Sequence, residues 1–131
     1  MDRRWLQSPR IRRLTGVTSI VVTGLILWLT LAPHPVGDVD IPLFPGADKV
    51  VHAAMFGALT LALAFDVALG RGRLPSVAVV GRLAVISFLF GGLIEILQSV
   101  MGEGRQGDFL DFAADIAGAL IAWAFYKFRF V

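Results

Sequence analysis

Three short polar groups punctuate an otherwise apolar chain: Asp48, Lys49 and His52; Glu95 and Gln98; and Arg105, Asp108, Asp111 and Asp115. Asp48 and His52 are four apart, so a helix places both on one face; Asp108, Asp111 and Asp115, spaced by three and four, form a second stripe. A histidine beside a carboxylate supplies a general base, and a second buried acid supplies a proton donor. In that scheme His52 is the base, Asp48 orients it, Glu95 donates the proton, and Arg105 clamps an anion with help from Lys49. Gln98, Asp108, Asp111 and Asp115 complete a binding pocket. Substrates of matching chemistry are phosphate- or acyl-bearing lipids. A deep carboxylate such as Glu95 has to find a donor, and Arg105 and His52 are the expected ones.

The elements that must carry these residues are apolar runs. The chain has 131 residues and is 56% hydrophobic, with a mean hydropathy of +0.75. Leu14 to Ala32 is uncharged and, at about 19 residues, long enough for a hydrocarbon core of ~30 Å. Ala53 to Leu69, Val77 to Met101 and Leu110 to Phe128 follow, each interrupted by few charges. The expected fold is all-α: a basic tail over 1–13, then a four-helix transmembrane bundle over 14–131, with helices at about 14–32, 53–69, 77–101 and 110–128. The basic run before the first helix is too short of signal-peptide features to predict cleavage, because its apolar core exceeds the usual ~7–15 residues.

Charge placement orients the bundle. Of 12 basic residues, only Lys49 and Arg105 fall on the side that receives the three polar groups. The others cluster before helix one, around the second loop and at the end of the chain, which predicts cytoplasmic N- and C-termini. The polar groups then share the opposite face of the membrane. The isoelectric point near 9.7 thus reflects membrane topology, and no nucleic-acid partner is expected. Trp5 and Leu6 are expected to dip into the lipid interface, and Tyr126 to join an aromatic belt. Asp66 and Arg82, at similar depth, are expected to pair.

Simpler roles exist for each polar residue. Asp48 and Asp108 suit helix N-caps, as does Ser76. Lys49 can snorkel, Arg105 can hold its turn, and Gln98 can bridge two helices. Glu95 and Asp115 lie too deep for capping, which favours a functional pocket. The chain has no cysteine, so thiol chemistry and disulfides are excluded. A divalent-ion variant with His52, Asp48, Asp111 and Asp115 as ligands lacks any tight ligand motif, so no metal or cofactor is expected. The competing functional reading is a non-catalytic drug- or lipid-binding protein, or a polar network that only ties helix ends together. Acids gathered at one mouth do not thread the membrane as a proton path would.

Taken in order, Asp48-Lys49-Val50-Val51-His52, Glu95-Ile96-Leu97-Gln98 and Gly104-Arg105 through Asp108, Asp111 and Asp115-Ile116-Ala117-Gly118 resemble the VanZ-like family of small bacterial membrane proteins. The resemblance runs from Asp48 to the end of helix four; helix one matches in character only. The chain departs from the family pattern in having Asp115 where Asn is usual, Ala53 where an aromatic follows the His, and no Pro before the Arg turn. The resemblance implies a multi-pass protein of the bacterial inner (cytoplasmic) membrane whose polar motif faces the cell envelope. It implies partners among membrane lipids or lipid-linked envelope precursors, and, through the family's founding member, a link to glycopeptide (teicoplanin) resistance.

Overall fold

The computed structural model describes residues 3–33, 44–102 and 107–130. A short 3-10 turn at Arg4–Gln7 precedes five helices: α1 (Pro9–Arg12), α2 (Val17–Leu31), α3 (Ala47–Arg71), α4 (Val77–Met101) and α5 (Phe109–Phe130). The described residues include no strand. Four helical stretches are long and apolar enough to cross a membrane: Pro9–Leu31, α3, α4 and α5. The chain is therefore an all-α, four-span membrane bundle.

Local chemistry sets the boundaries. Gly16 adopts φ 88°, a left-handed conformation that interrupts the first span and starts α2 at Val17. At its other end α2 runs to Leu31, just before Pro33, which lacks the amide hydrogen that a continuing helix needs. Helix α3 begins at Ala47, six residues before the apolar run at Ala53 that marks it in the sequence. Gly46, with φ 83°, makes that start, and the carboxylate of Asp48 lies in the first turn, where the helix dipole favours it. Asp48 is thus not the N-cap. Ser76 and Asp108 do cap: the Val79 amide donates to Ser76 Oγ at 3.4 Å, and the Leu110 amide donates to Asp108 Oδ1 at 2.8 Å.

Helix α3 occupies the centre and packs against α2, α4 and α5. Its most extensive partner is α5, which runs parallel to it: His52 meets Asp115 near one end, and Ala64 meets Tyr126 near the other. Helix α4 is antiparallel to both, with Gly91 beside Asp115 and Gly81 beside Trp123. Small residues bring the parallel pair together. A Cβ on Gly118 would fall onto the carbonyl oxygen of Ala53, and one on Gly57 would sit 3.1 Å from the carbonyl oxygen of Gly118. Such backbone-to-backbone contact is how helices associate in lipid, where tails offer no hydrophobic driving force. The core is correspondingly thin, centred on Ile26, Phe56, Leu59 and Ile94. Large apolar side chains such as Ile20, Leu89, Ile96 and Phe128 face outward, as a lipid-embedded bundle requires.

Three expected contacts are replaced by others. Leu6 does not dip into lipid; it is buried against Ala68 and Leu69 of α3. Tyr126 is likewise buried, and its hydroxyl donates to the carbonyl of Pro75 at 2.6 Å, while Trp123 Nε1 donates to the carbonyl of Val77 at 3.1 Å. Both rings lock the end of α5 to the start of α4. Asp66 is paired with Ser19 rather than with Arg82: the Ser19 amide and hydroxyl both donate to Asp66 Oδ2, the amide at 2.8 Å. Ser19 lies in the first turn of α2, where amides lack partners within the helix, so a carboxylate from α3 caps α2 from outside. Asp66→Ala should lower stability by roughly 2 kcal/mol, the range for hydrogen bonds to a charged group. Thermal unfolding in detergent measures this, and an unchanged melting temperature would refute the capping role.

Candidate functional site: a polar cluster at one end of α3, α4 and α5

The parallel packing of α3 and α5 brings two helix N-termini to the same end of the bundle. Lys49, in the first turn of α3, reaches across to α5. Its Nζ lies 2.6 Å from Asp48 Oδ2, 2.9 Å from Asp108 Oδ2 and 2.6 Å from Asp111 Oδ1. Those bonds use all three ammonium donors, so Lys49 does not snorkel away from the cluster. The ammonium beside Asp108, seconded by the Leu110 amide, holds that carboxyl below the usual carboxylate range.

One turn further along α3, His52 points between the two deeper acids of α5. Its Nδ1 is 2.8 Å from Asp115 Oδ1, and its Nε2 is 3.6 Å from Asp111 Oδ2. The second distance is too long for a hydrogen bond. An Nδ1 proton shared with Asp115 leaves Nε2 as the open ring nitrogen, the tautomer being assigned from this network. The expected Asp48–His52 pair is not formed: Asp48 is taken by Lys49, and Asp115 supplies the partner. The cause is the close α3–α5 contact, which places a buried carboxylate nearer to the ring than the exposed Asp48.

Glu95 and Asp115 are the buried members, with residue exposures of 8% and 0%. The Asp108 amide donates to Glu95 Oε2 at 2.7 Å, while Oε1 has no hydrogen-bond partner among the described residues. Asp115 Oδ2 likewise has no hydrogen-bond partner among the described residues, and it occupies the space that a side chain at position 91 would need. Gly91 lies one turn before Glu95 on α4, so the glycine makes room for the acid of α5 directly beneath the acid of α4. Gln98 turns elsewhere: its Nε2 donates to the carbonyl of Thr30 at 2.8 Å, tying α4 to the last turn of α2. Arg105 lies outside the described residues.

A groove of about 540 Å³ opens between α4 and α5 beside this cluster. Leu89, Leu93, Ile96, Phe109 and Phe112 form its apolar walls, and Glu95, Ser99 and Asp108 bring polar groups to it. Ser99 was not among the residues singled out from the sequence. Its position four residues after Glu95, on the same helical face, is the signal that could have found it.

Fold and cluster together define a multi-pass α-helical membrane protein with a polar nest at one mouth. A family model described as VanZ/LLP1 matches residues 7–130, and the chain belongs to that family. The match takes in the first span as well as the three that carry the motifs. Neither curated proteins nor solved structures give a match to this chain.

Proposed function

We propose that this VanZ-like protein sits in the bacterial cytoplasmic membrane and uses the cluster to hold the polar head of an envelope lipid or lipid-linked precursor. The observation that carries the reading is the continuity between groove and cluster: one set of side chains offers apolar walls for a tail, and Glu95 belongs to both. The walls face outward, as a ligand arriving sideways from the bilayer requires: Leu89, Ile96 and Phe109 are exposed. The residues proposed for chemistry are His52 and Glu95, with Asp115 orienting the imidazole. Lys49 neutralises the rim acids and shapes the mouth. Glu95 next to a bound head is suited to donate or accept a proton, and His52 Nε2 is suited to act as base.

The termini are assigned to the cytoplasm in this reading, with the cluster toward the envelope. Support comes from Arg71, Lys127 and Arg129 in the last turns of α3 and α5, and from Arg73 just beyond α3, all away from the cluster. Resistance to a glycopeptide such as teicoplanin is one consequence that altered handling of an envelope precursor would have. A second reading, a network that only ties helix ends, draws on the Gln98–Thr30 and Glu95–Asp108 bonds.

Detergent-purified protein incubated with envelope lipid extract tests these readings. Co-purification of a lipid species is expected, and mass spectrometry of the extract reports any conversion. Glu95→Gln and His52→Ala should remove conversion or weaken retention by about tenfold or more, as loss of an essential acid or base does. Variants that lower only the melting temperature, with no lipid retained by the parent protein, would leave the network reading standing.

A further inference from the structure

We propose that His52, Glu95 and Asp115 form a binding site for one divalent transition-metal ion, of the Zn²⁺ or Mn²⁺ kind, at the inner end of the cluster. One nitrogen or oxygen from each of the three residues lies within 4.8 Å of those from the other two. They come from three different helices, so the bundle itself converges on the point. Two independent features go beyond a mere gathering of acids. Glu95 and Asp115 are each more than nine-tenths buried, and each keeps a carboxylate oxygen with no hydrogen-bond partner among the described residues. A buried, unsatisfied carboxylate oxygen is costly, and a cation is the partner that satisfies two at once. The charge balance points the same way. Glu95, Asp48, Asp108, Asp111 and Asp115 are five acids, while Lys49 and His52 are the only basic side chains bonded to them among the described residues. Lys49 is fully used at the rim, which leaves His52 as the one basic side chain beside the inner pair of acids among the described residues.

The donor set selects the ion. One imidazole with two carboxylates suits Zn²⁺ or Mn²⁺ better than Mg²⁺ or Ca²⁺, which favour all-oxygen cages. Bonds of about 2.0–2.2 Å require the ligand atoms to draw closer together, and Glu95 has the longest side chain with which to do so. Three protein ligands leave a position open, the arrangement of catalytic rather than structural sites. Glu95 lines the groove, so that position would meet the head of a ligand lying there, a phosphate oxygen being the best match. The connection to a lipid head rests on the function proposed above; ion binding itself does not, and with an ion in place His52 and Glu95 would serve as its ligands and not as free base and acid. This set replaces the ligands His52, Asp48, Asp111 and Asp115 weighed from sequence, because Asp48 is occupied by Lys49 at the rim.

The test uses full-length protein in detergent, stripped with chelator and then titrated with Zn²⁺ or Mn²⁺ by calorimetry, with no lipid added. Saturable binding of one ion per chain is expected, with a raised melting temperature. Co²⁺ should replace the ion and give visible bands characteristic of nitrogen–oxygen ligation. Asp115→Asn and Glu95→Gln, both nearly isosteric, should each weaken binding by about 100-fold or more, beyond what loss of an outer-shell partner produces. Asp66→Asn, about 21 Å along α3 from His52 at the helical rise, should leave the affinity unchanged. No saturable binding to the parent protein would overturn the proposal, whatever the variants do; so would binding that survives both site substitutions. A proton held between the two acids predicts that first result. Retention of lipid by protein that binds no ion would sink this inference and spare the lipid reading, and ion binding without lipid retention would do the reverse.

Discussion

Gly118→Ala should leave almost no folded protein, whereas Gly24→Ala, the same substitution in another span, should be neutral or stabilising. At position 24 a new Cβ meets nothing within 4 Å. There the change from glycine to alanine keeps only its helix-propensity gain, about 1 kcal/mol. At position 118 the methyl lands on the main chain of Ala53, and a backbone carbonyl inside a helix cannot swing aside as a side chain can. The two helices must separate, and the separation acts on everything they jointly hold. His52 leaves Asp115, and Lys49 leaves Asp108 and Asp111. Overpacking alone typically costs 1–3 kcal/mol, and the lost polar contacts add to it. Size-exclusion profiles and melting temperatures of the two variants in one detergent give the comparison. Equal stability would mean that the α3–α5 contact is not the bundle's organising seam.

Lys49→Met is the second large effect. It removes the ammonium that holds Asp48, Asp108 and Asp111 together and leaves three carboxylates crowded at one mouth. Near neutral pH the variant should melt several degrees below the parent. Its pH dependence should also change sign. In the parent, the folded protein depresses the Asp108 pKa below its ordinary value. That contribution is therefore complete above the unfolded carboxylate value near 3.9 and is lost as pH falls through the lower folded value. Without Lys49 the largest cause of that depression is gone and the Leu110 amide alone remains bonded to Asp108, so mild acid should stabilise the variant by relieving repulsion between the acids. Melting curves over the acid range decide the matter; parallel pH profiles would show that Lys49 is not the group that sets Asp108.

Much of the architecture can be read from the chain because lipid imposes length and polarity so strictly. Four apolar stretches broken by few charges are enough to count the spans, and their alternating directions put His52, Glu95 and Asp111 at one end. Pairing within that end is harder to read. Helical periodicity relates Asp48 to His52, but it carries no information about the distance to a neighbouring helix. That distance is decided by Gly118 resting on Ala53, and it hands His52 to Asp115. For the same reason Asp66 goes to Ser19: a helix start broken by Gly16 presents free amides beside it, whereas matching depth suggested Arg82. Tyr126 and Trp123 carry the composition of an interfacial belt, yet carbonyls exposed at the start of α4 draw both inward.

The first span is held by a fastening at each end: Asp66 grips the opening turn of α2, and Gln98 grips its closing turn through Thr30. Neither fastening shares an atom with the His52–Asp115 union, which belongs to α3 and α5. Undoing one of them would loosen that end of α2, which Ile26 still anchors in the core, and leave the His52–Asp115 pair in place.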